Sequence, residues 1–215
     1  MTKLTYTLLT DGSSDRVLLH IINWLFDDLL PTIPIQGNYA DFSGLNNPPP
    51  FTKLDQRIEK AISLYPCDVI FVHRDAETKT IGSREIEIQG FWEKTTQTEQ
   101  RKIIPLIPMR MTEAWLLFNP NAIKIAAGNR NFAGELALPK LTRLEDEPDP
   151  KAFLFNLIRK ASDLKGRSLA KLRVHPTIHI VAETIRDYSP LRNLSAFQRF
   201  EVTVKETLQG FEFED

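Results

Sequence analysis

Four acidic residues stand where apolar runs of this sequence give way to polar ones. Asp11 follows KLTYTLLT, Asp75 and Glu77 follow the VIFV run, and Glu113 follows KIIPLIPMRM. If those runs are strands, the acids share the carboxyl ends of neighbouring strands, where open α/β sheets bind ligands. Asp75 and Glu77 are two apart, so in an extended chain they point the same way. Clustered carboxylates raise each other's pKa, and a divalent cation removes that conflict. Mg²⁺, or Mn²⁺ in its place, suits a few carboxylates and completes its shell with water and substrate phosphate. Asp11, Asp75, Glu77 and Glu113 are therefore the candidate catalytic and metal-binding residues. Gly12, Ser13 and Ser14, at the start of a helix, would offer N–H groups to an anion, and Arg74 and Arg110 would hold phosphate. Each feature has an ordinary reading: Asp-Gly is a common turn pair, and an acid closing a strand is unexceptional. The force lies in the coincidence of three strand ends.

The histidines carry less. His175 and His179 are four apart, but HPTIH lacks a neighbouring glutamate and Pro176 starts a helix, so packing or surface roles fit both. His73 falls within an apolar strand, where it serves structure or orients a neighbouring carboxylate. His20 has no nameable partner. Cys67 reads as a packing thiol.

The elements that would position these residues follow from periodicity. Residues 3–10 read as a strand. A helix runs from Ser13 or Ser14 to about Leu30, with Asp15 in its first turn and an apolar face through Val17, Leu18, Ile21, Ile22, Leu25 and Leu29. Residues 35–50 read as loop, with a short strand near Tyr39–Phe42. A helix is expected at 52–65, a strand covered on both faces at Val69–Val72, and a helix at 82–99. The strand expected at 102–111 contains Pro105 and Pro108, which place it at an edge or bend it. Beyond it the pattern is helical, at about 121–127, 150–164, 176–187 and 194–208. The order predicts an α/β fold: a mostly parallel sheet flanked by helices over residues 1–120, and a helical C-terminal extension, 121–215, packed on it as one unit. The acidic tail FEFED is expected to fray.

Composition bounds the class. The 215 residues are 42% apolar and 26% charged, values of a globular chain. The single cysteine excludes a disulfide framework and a multi-cysteine zinc site and fits a reducing, cytoplasmic setting. No run is long enough for a membrane span, and the N-terminus does not read as a signal peptide. The net charge of −1 hides an asymmetry: residues 1–99 hold 9 basic and 14 acidic residues, residues 100–215 hold 18 and 14. Arg159, Lys160, Lys165, Arg167, Lys171 and Arg173 crowd one segment, either a solvated face or a phosphate-backbone surface.

LLTDGSSDRVLLHIINWL resembles the first motif of Toprim domains, a strand ending in an acid-Gly turn before a helix with a further acid. VIFVHRDAE is similar to the second, an apolar strand ending in two acids one residue apart. IPMRMTEAWLL, AIKIAAGN, DPKAFLFNLIRKASDLKGR and SPLRNLSAFQRFE resemble segments of small bacterial Toprim-like proteins, some of whose relatives lie in phage-defence operons. The resemblance spans about residues 4–208. It implies metal-dependent phosphodiester chemistry, with Asp11 where the family usually has Glu and Asp75-x-Glu77 where it usually has Asp-x-Asp. Glu113 would be a further ligand or general base. No tyrosine presents itself as a cleaving nucleophile, so metal-activated water is the implied attacking group.

The expectation is a Mg²⁺-dependent nuclease acting on DNA or RNA, with Lys165 and Arg167 among the residues that hold the backbone. The alternative is a non-catalytic Toprim-like subunit that binds nucleic acid or a partner such as an operon-encoded ATPase; the chain itself lacks a GxxxxGK[ST] loop. A small-molecule phosphatase or receiver-like phospho-acceptor ranks third.

Overall fold

The structure is a computed structural model that describes residues 1–96 and 101–213. Four parallel strands, β1 (Leu4–Leu9), β2 (Ile35–Tyr39), β3 (Val69–His73) and β4 (Lys102–Leu106), form one sheet in the order β2-β1-β3-β4. Three helices connect them: α1 (Leu18–Leu29), α2 (Leu54–Leu64) and α3 (Ile81–Trp92). The chain leaves β1 for β2 on one side and leaves β3 for β4 on the other. The crevice between the carboxyl ends of β1 and β3 is therefore the topological switch point of the sheet, the place where doubly wound sheets take their ligands.

Side chains alternate across the sheet as the pleat requires. Leu4, Tyr6 and Leu8 of β1, Val69 and Phe71 of β3, and Ile104 and Leu106 of β4 enter one core; Leu9, Ile70 and Val72 enter another. The second core is closed by α2 and α3. The first is closed by α1 and by the helices that follow the sheet: α4 (Pro120–Ala126), α5 (Pro150–Ser162), α7 (Thr177–Thr184) and α8 (Ser195–Leu208), while α6 (Gly166–Ala170) contributes no buried residue. Phe71 lies 5.9 Å from Phe200, and Trp115 lies 5.4 Å from Phe197, ring centre to ring centre. These contacts tie the sheet to α8. Residues 121–208 hold no strand, and their buried side chains share the core of β1 and β3.

Every residue of β3 is buried, as its continuous apolar run requires, and β4 is an edge strand with Pro105 opposite Val72. Three differences from the sequence reading have physical causes. The first helix opens with a separate 3₁₀ turn, Ser13–Val17, before α1 begins. The edge strand β2 lies at Ile35–Tyr39 rather than Tyr39–Phe42; its partly open faces, IQGNY, leave little alternation to read. The fourth strand stops at Leu106, short of 111, because Pro108 has no N–H and Arg110 is left-handed at φ 65°. Positions 97–99 of the helix expected at 82–99 lie outside the described residues; the described part ends at Trp92. The tail is anchored as far as Phe213: Phe211 and Phe213 pack on the core, and the N-terminal ammonium donates to the Glu212 carbonyl at 2.8 Å.

Candidate active site

The carboxyl ends of β1, β3 and β4 meet around His73, the last residue of β3, which is 2% exposed. Its Nε2 lies 3.2 Å from Asp75 Oδ1 and 3.1 Å from Thr112 Oγ1. Its Nδ1 has no hydrogen-bond partner among the described residues and faces Asp15 Oδ2 at 3.7 Å. Asp15 comes from the 3₁₀ turn after β1, and Thr112 from a second 3₁₀ turn, Thr112–Leu116, after β4. The neighbouring Glu113 is 3% exposed, and its carboxylate lies 3.2 Å from Lys151 Nζ, which reaches in from the first turn of α5. Asp149 caps that turn by accepting from Ala152 N at 2.9 Å, which fixes where Lys151 leaves the helix.

Burial and neighbouring charges shift three of these groups, Asp15, Glu113 and His73. Burial raises the Asp15 carboxyl above its ordinary value, Asp75 raises it further, and His73, Thr112 and Lys151 pull the other way. Burial likewise raises Glu113, opposed by Lys151 and reinforced by Asp15. For His73, burial favours the neutral ring, but the hydrogen bond to Asp75 and the charges of Asp15, Asp75 and Asp11 outweigh it, and the imidazole pKa is raised. Such opposed pressures on neighbouring groups mark sites where proton affinity is tuned. Asp75, whose side chain is 28% exposed, is the member of the His73 pair open to solvent.

The residues proposed from sequence separate into distinct places. Asp75 and Glu113 belong to the cluster just described. Asp11 is half-exposed at the end of β1 and pairs with Arg74 Nε at 3.4 Å. Arg74 also holds Glu87 at 2.5 Å and donates to the Phe51 carbonyl at 3.1 Å, so it is an organising cation and not an open phosphate hand. Glu77 does not point with Asp75. Its backbone is left-handed, φ 53°, and the turn sends its carboxylate to Arg84 at 3.3 Å. Arg110 is exposed and shares an outer groove with Glu77. Gly12 and Ser13 line a cavity beside β1 and β2, and Ser14 stands on the 3₁₀ turn. A Cβ on Gly12 would lie 3.1 Å from Asp15 Oδ2, so this glycine lets the turn fold tightly over that carboxylate.

Lys165 opens α6 as its N-cap and Arg167 lies within it; both are exposed. Arg159, Lys160, Lys171 and Arg173 are exposed as well. This surface lies at the far end of α5 from Lys151, about 12 Å along the axis at 1.5 Å per residue. His175 precedes α7 and packs edge-on to Phe155, so the four-residue histidine pair does not share a helix.

Asp15, Thr112 and Lys151 were missing from the residues proposed from sequence. Asp15 carried a signal, a second acid four residues after Asp11. Thr112 carried none beyond adjacency to Glu113. Lys151 reaches the site only through the packing of α5. Among the described residues no three His, Cys, Asp or Glu side chains converge closely enough to hold a metal ion. No described helix is long and apolar enough to cross a membrane. Comparison with protein-family models, with curated proteins and with solved structures finds no match for this chain.

Proposed function

We propose that the chain is a Toprim-like phosphodiester hydrolase that acts on nucleic acid at the crevice between β1 and β3. The observation that carries this reading is the coupled cluster of Asp15, His73, Asp75 and Glu113, drawn from three strand ends at a topological switch point.

The Mg²⁺ or Mn²⁺ that the Toprim resemblance implies does not fit these side chains as they are folded. Asp11, Glu77, Asp75 and Glu113 each face a basic side chain, Arg74, Arg84, His73 and Lys151 respectively, and they do not surround one point. The steps therefore use the chain's own groups. Asp75, oriented by the His73 ring, accepts a proton from a water molecule as its oxygen attacks phosphorus. The ammonium of Lys151 supplies positive charge toward the phosphate oxygens, and the departing sugar oxygen is protonated from solvent. The exposed cations from Arg159 to Arg173 hold the backbone away from the reacting phosphate.

Incubation with single- and double-stranded DNA and RNA, in Mg²⁺, in Mn²⁺ and in EDTA, tests the reading. Cleavage should fall at least about 100-fold in Asp75→Ala, the usual scale for losing a general base. It should fall in Glu113→Ala as well. Wild-type rates in both variants would sink it.

A second reading, a non-catalytic nucleic-acid- or partner-binding subunit, is favoured by one observation: each proposed carboxylate already carries a cationic or protonatable partner. Binding and cleavage measured side by side separate the two. Nucleic-acid binding without cleavage, in Mg²⁺, in Mn²⁺ and in EDTA alike, belongs to the second.

A further inference from the structure

A cavity of about 740 Å³ opens beside the carboxyl ends of β1 and β2, next to Asp11 but apart from the His73 cluster. That volume lies within the roughly 300–1,000 Å³ of small-molecule sites. Its walls carry two kinds of surface. Tyr39, Phe42, Phe51 and the prolines Pro48–Pro50 present flat apolar faces, and Phe51 is 56% exposed. Arg16 and Arg57 present charge.

Arg57 is the telling residue. It is 5% exposed and packed under Phe51 and Phe42, with its guanidinium carbon 4.4 and 5.1 Å from their ring centres. It donates to the carbonyls of Thr10 at 2.8 Å and Pro49 at 3.3 Å, and its buried Nε has no hydrogen-bond partner among the described residues. No carboxylate among the described residues lies within ion-pair distance of it, although a buried cation normally needs one. Arg16 is exposed, lies over the Tyr39 ring at 5.7 Å, and makes no ion pair among the described residues. Of the two acids on the cavity wall, Asp11 pairs with Arg74 and reaches Arg57 only by its longer-range charge, and Asp41 accepts from Ser43 N at 2.9 Å. Arg16 also lies close enough to lower the Asp41 pKa, behind the larger effect of Ser43. The cavity thus combines aromatic walls with two cations that make no ion pair among the described residues.

We propose that this cavity binds a nucleoside monophosphate unit, its phosphate at Arg16 and Arg57 and its base against Phe51 and the proline wall. Aromatic walls accept any base by stacking, and guanidinium pairs with phosphate in fixed geometry. That the ligand is an aromatic anion follows from the cavity; the choice of a nucleotide among such anions rests on the phosphodiester reading above. In that reading the cavity receives an unpaired nucleotide of the strand, and Thr10–Ser13 separate it from the reacting phosphate.

Calorimetry on the full chain in EDTA, with AMP, adenosine and inorganic phosphate, tests this. AMP should bind, with adenosine and phosphate each at least about tenfold weaker. Phe51→Ala and Arg16→Ala should each weaken AMP about tenfold, and Arg16→Ala, at an exposed side chain, should leave thermal unfolding unchanged. No AMP binding up to about 5 mM would overturn the proposal. Phosphate binding as tightly as AMP, or wild-type AMP affinity in both variants, would also overturn it. Because the measurement needs no turnover, its failure is distinct from that of the hydrolase reading. AMP binding without polymer cleavage keeps the cavity and removes the hydrolase, and cleavage without AMP binding does the reverse.

Discussion

At the scale of single residues, the His73 ring holds the site together, and its ionisation can be followed directly. Burial opposes its charge, but the Asp75 hydrogen bond and the charges of Asp15 and Asp75 leave its pKa above the ordinary 6.5. A group whose folded pKa is raised stabilises the fold fully below its unfolded value, and that contribution disappears as pH rises through the folded value. In metal-free protein the His73 ring-proton resonances should therefore titrate above 6.5. Asp75→Asn should move that titration down and flatten the accompanying loss of stability with rising pH. A ring that titrates identically in both proteins would show that Asp75 does not hold it.

Glu77 offers the opposite case. Its left-handed backbone costs about 1 kcal/mol for a non-glycine residue, and its mostly exposed carboxylate pairs with the buried Arg84, which Glu87 also holds. Glu77→Gly should leave thermal stability unchanged or raise it slightly. This residue looked like the twin of Asp75 in the sequence, because two-residue spacing was read through an extended chain. The turn hydrogen bond Lys79 N to Ala76 O, at 2.8 Å, is what separates them, and no single residue type announced it.

At the scale of elements, β1 and β2 must lie close for the strand ends to converge. Tyr6 of β1 is fully buried and stands opposite Gly37 of β2, donating through its hydroxyl to Asn23 Oδ1 at 2.6 Å. A Cβ at position 37 would sit 2.3 Å from Tyr6 Cζ, closer than atoms can approach. Gly37→Ala should cost about 1–3 kcal/mol by overpacking, measured by urea unfolding, and Tyr6→Phe in the same chain should not rescue it. Wild-type stability would contradict the packing. The strands and most helices were legible because their apolar periods are strong, and the proline content of β4 marked an edge. Strand β2 was misplaced because an edge strand with open faces has little alternation. Helix α6 was not anticipated, since it buries nothing and so leaves no apolar period.

At the scale of the whole molecule, the near-neutral net charge conceals a division of labour. The acidic strand ends face largely internal cations, whereas the basic run from Arg159 to Arg173 is exposed on the α5–α6 surface. If that surface holds a nucleic-acid backbone, Lys165→Ala with Arg167→Ala should lower affinity for any sequence. The pair should also reduce the slope of log K against log salt by about 2, at roughly 0.9 per phosphate contact. Fluorescence anisotropy across a salt series measures both, and an unchanged slope would return the surface to an ordinary solvated face. The positions of the acids at strand ends were readable from sequence. Which acids share a site was not, because that depends on the 3₁₀ turns after β1 and β4 and on α5 carrying Lys151 to Glu113 from 38 residues away along the chain.

The most direct test of the account sets the two acids that follow β3 against each other. Cleavage of single-stranded nucleic acid should collapse in Asp75→Asn, which loses the carboxylate that His73 orients. It should persist in Glu77→Gly, whose carboxylate faces Arg84 instead. Loss of cleavage in Glu77→Gly with retention in Asp75→Asn would contradict the assignment of the His73 cluster as the reacting centre.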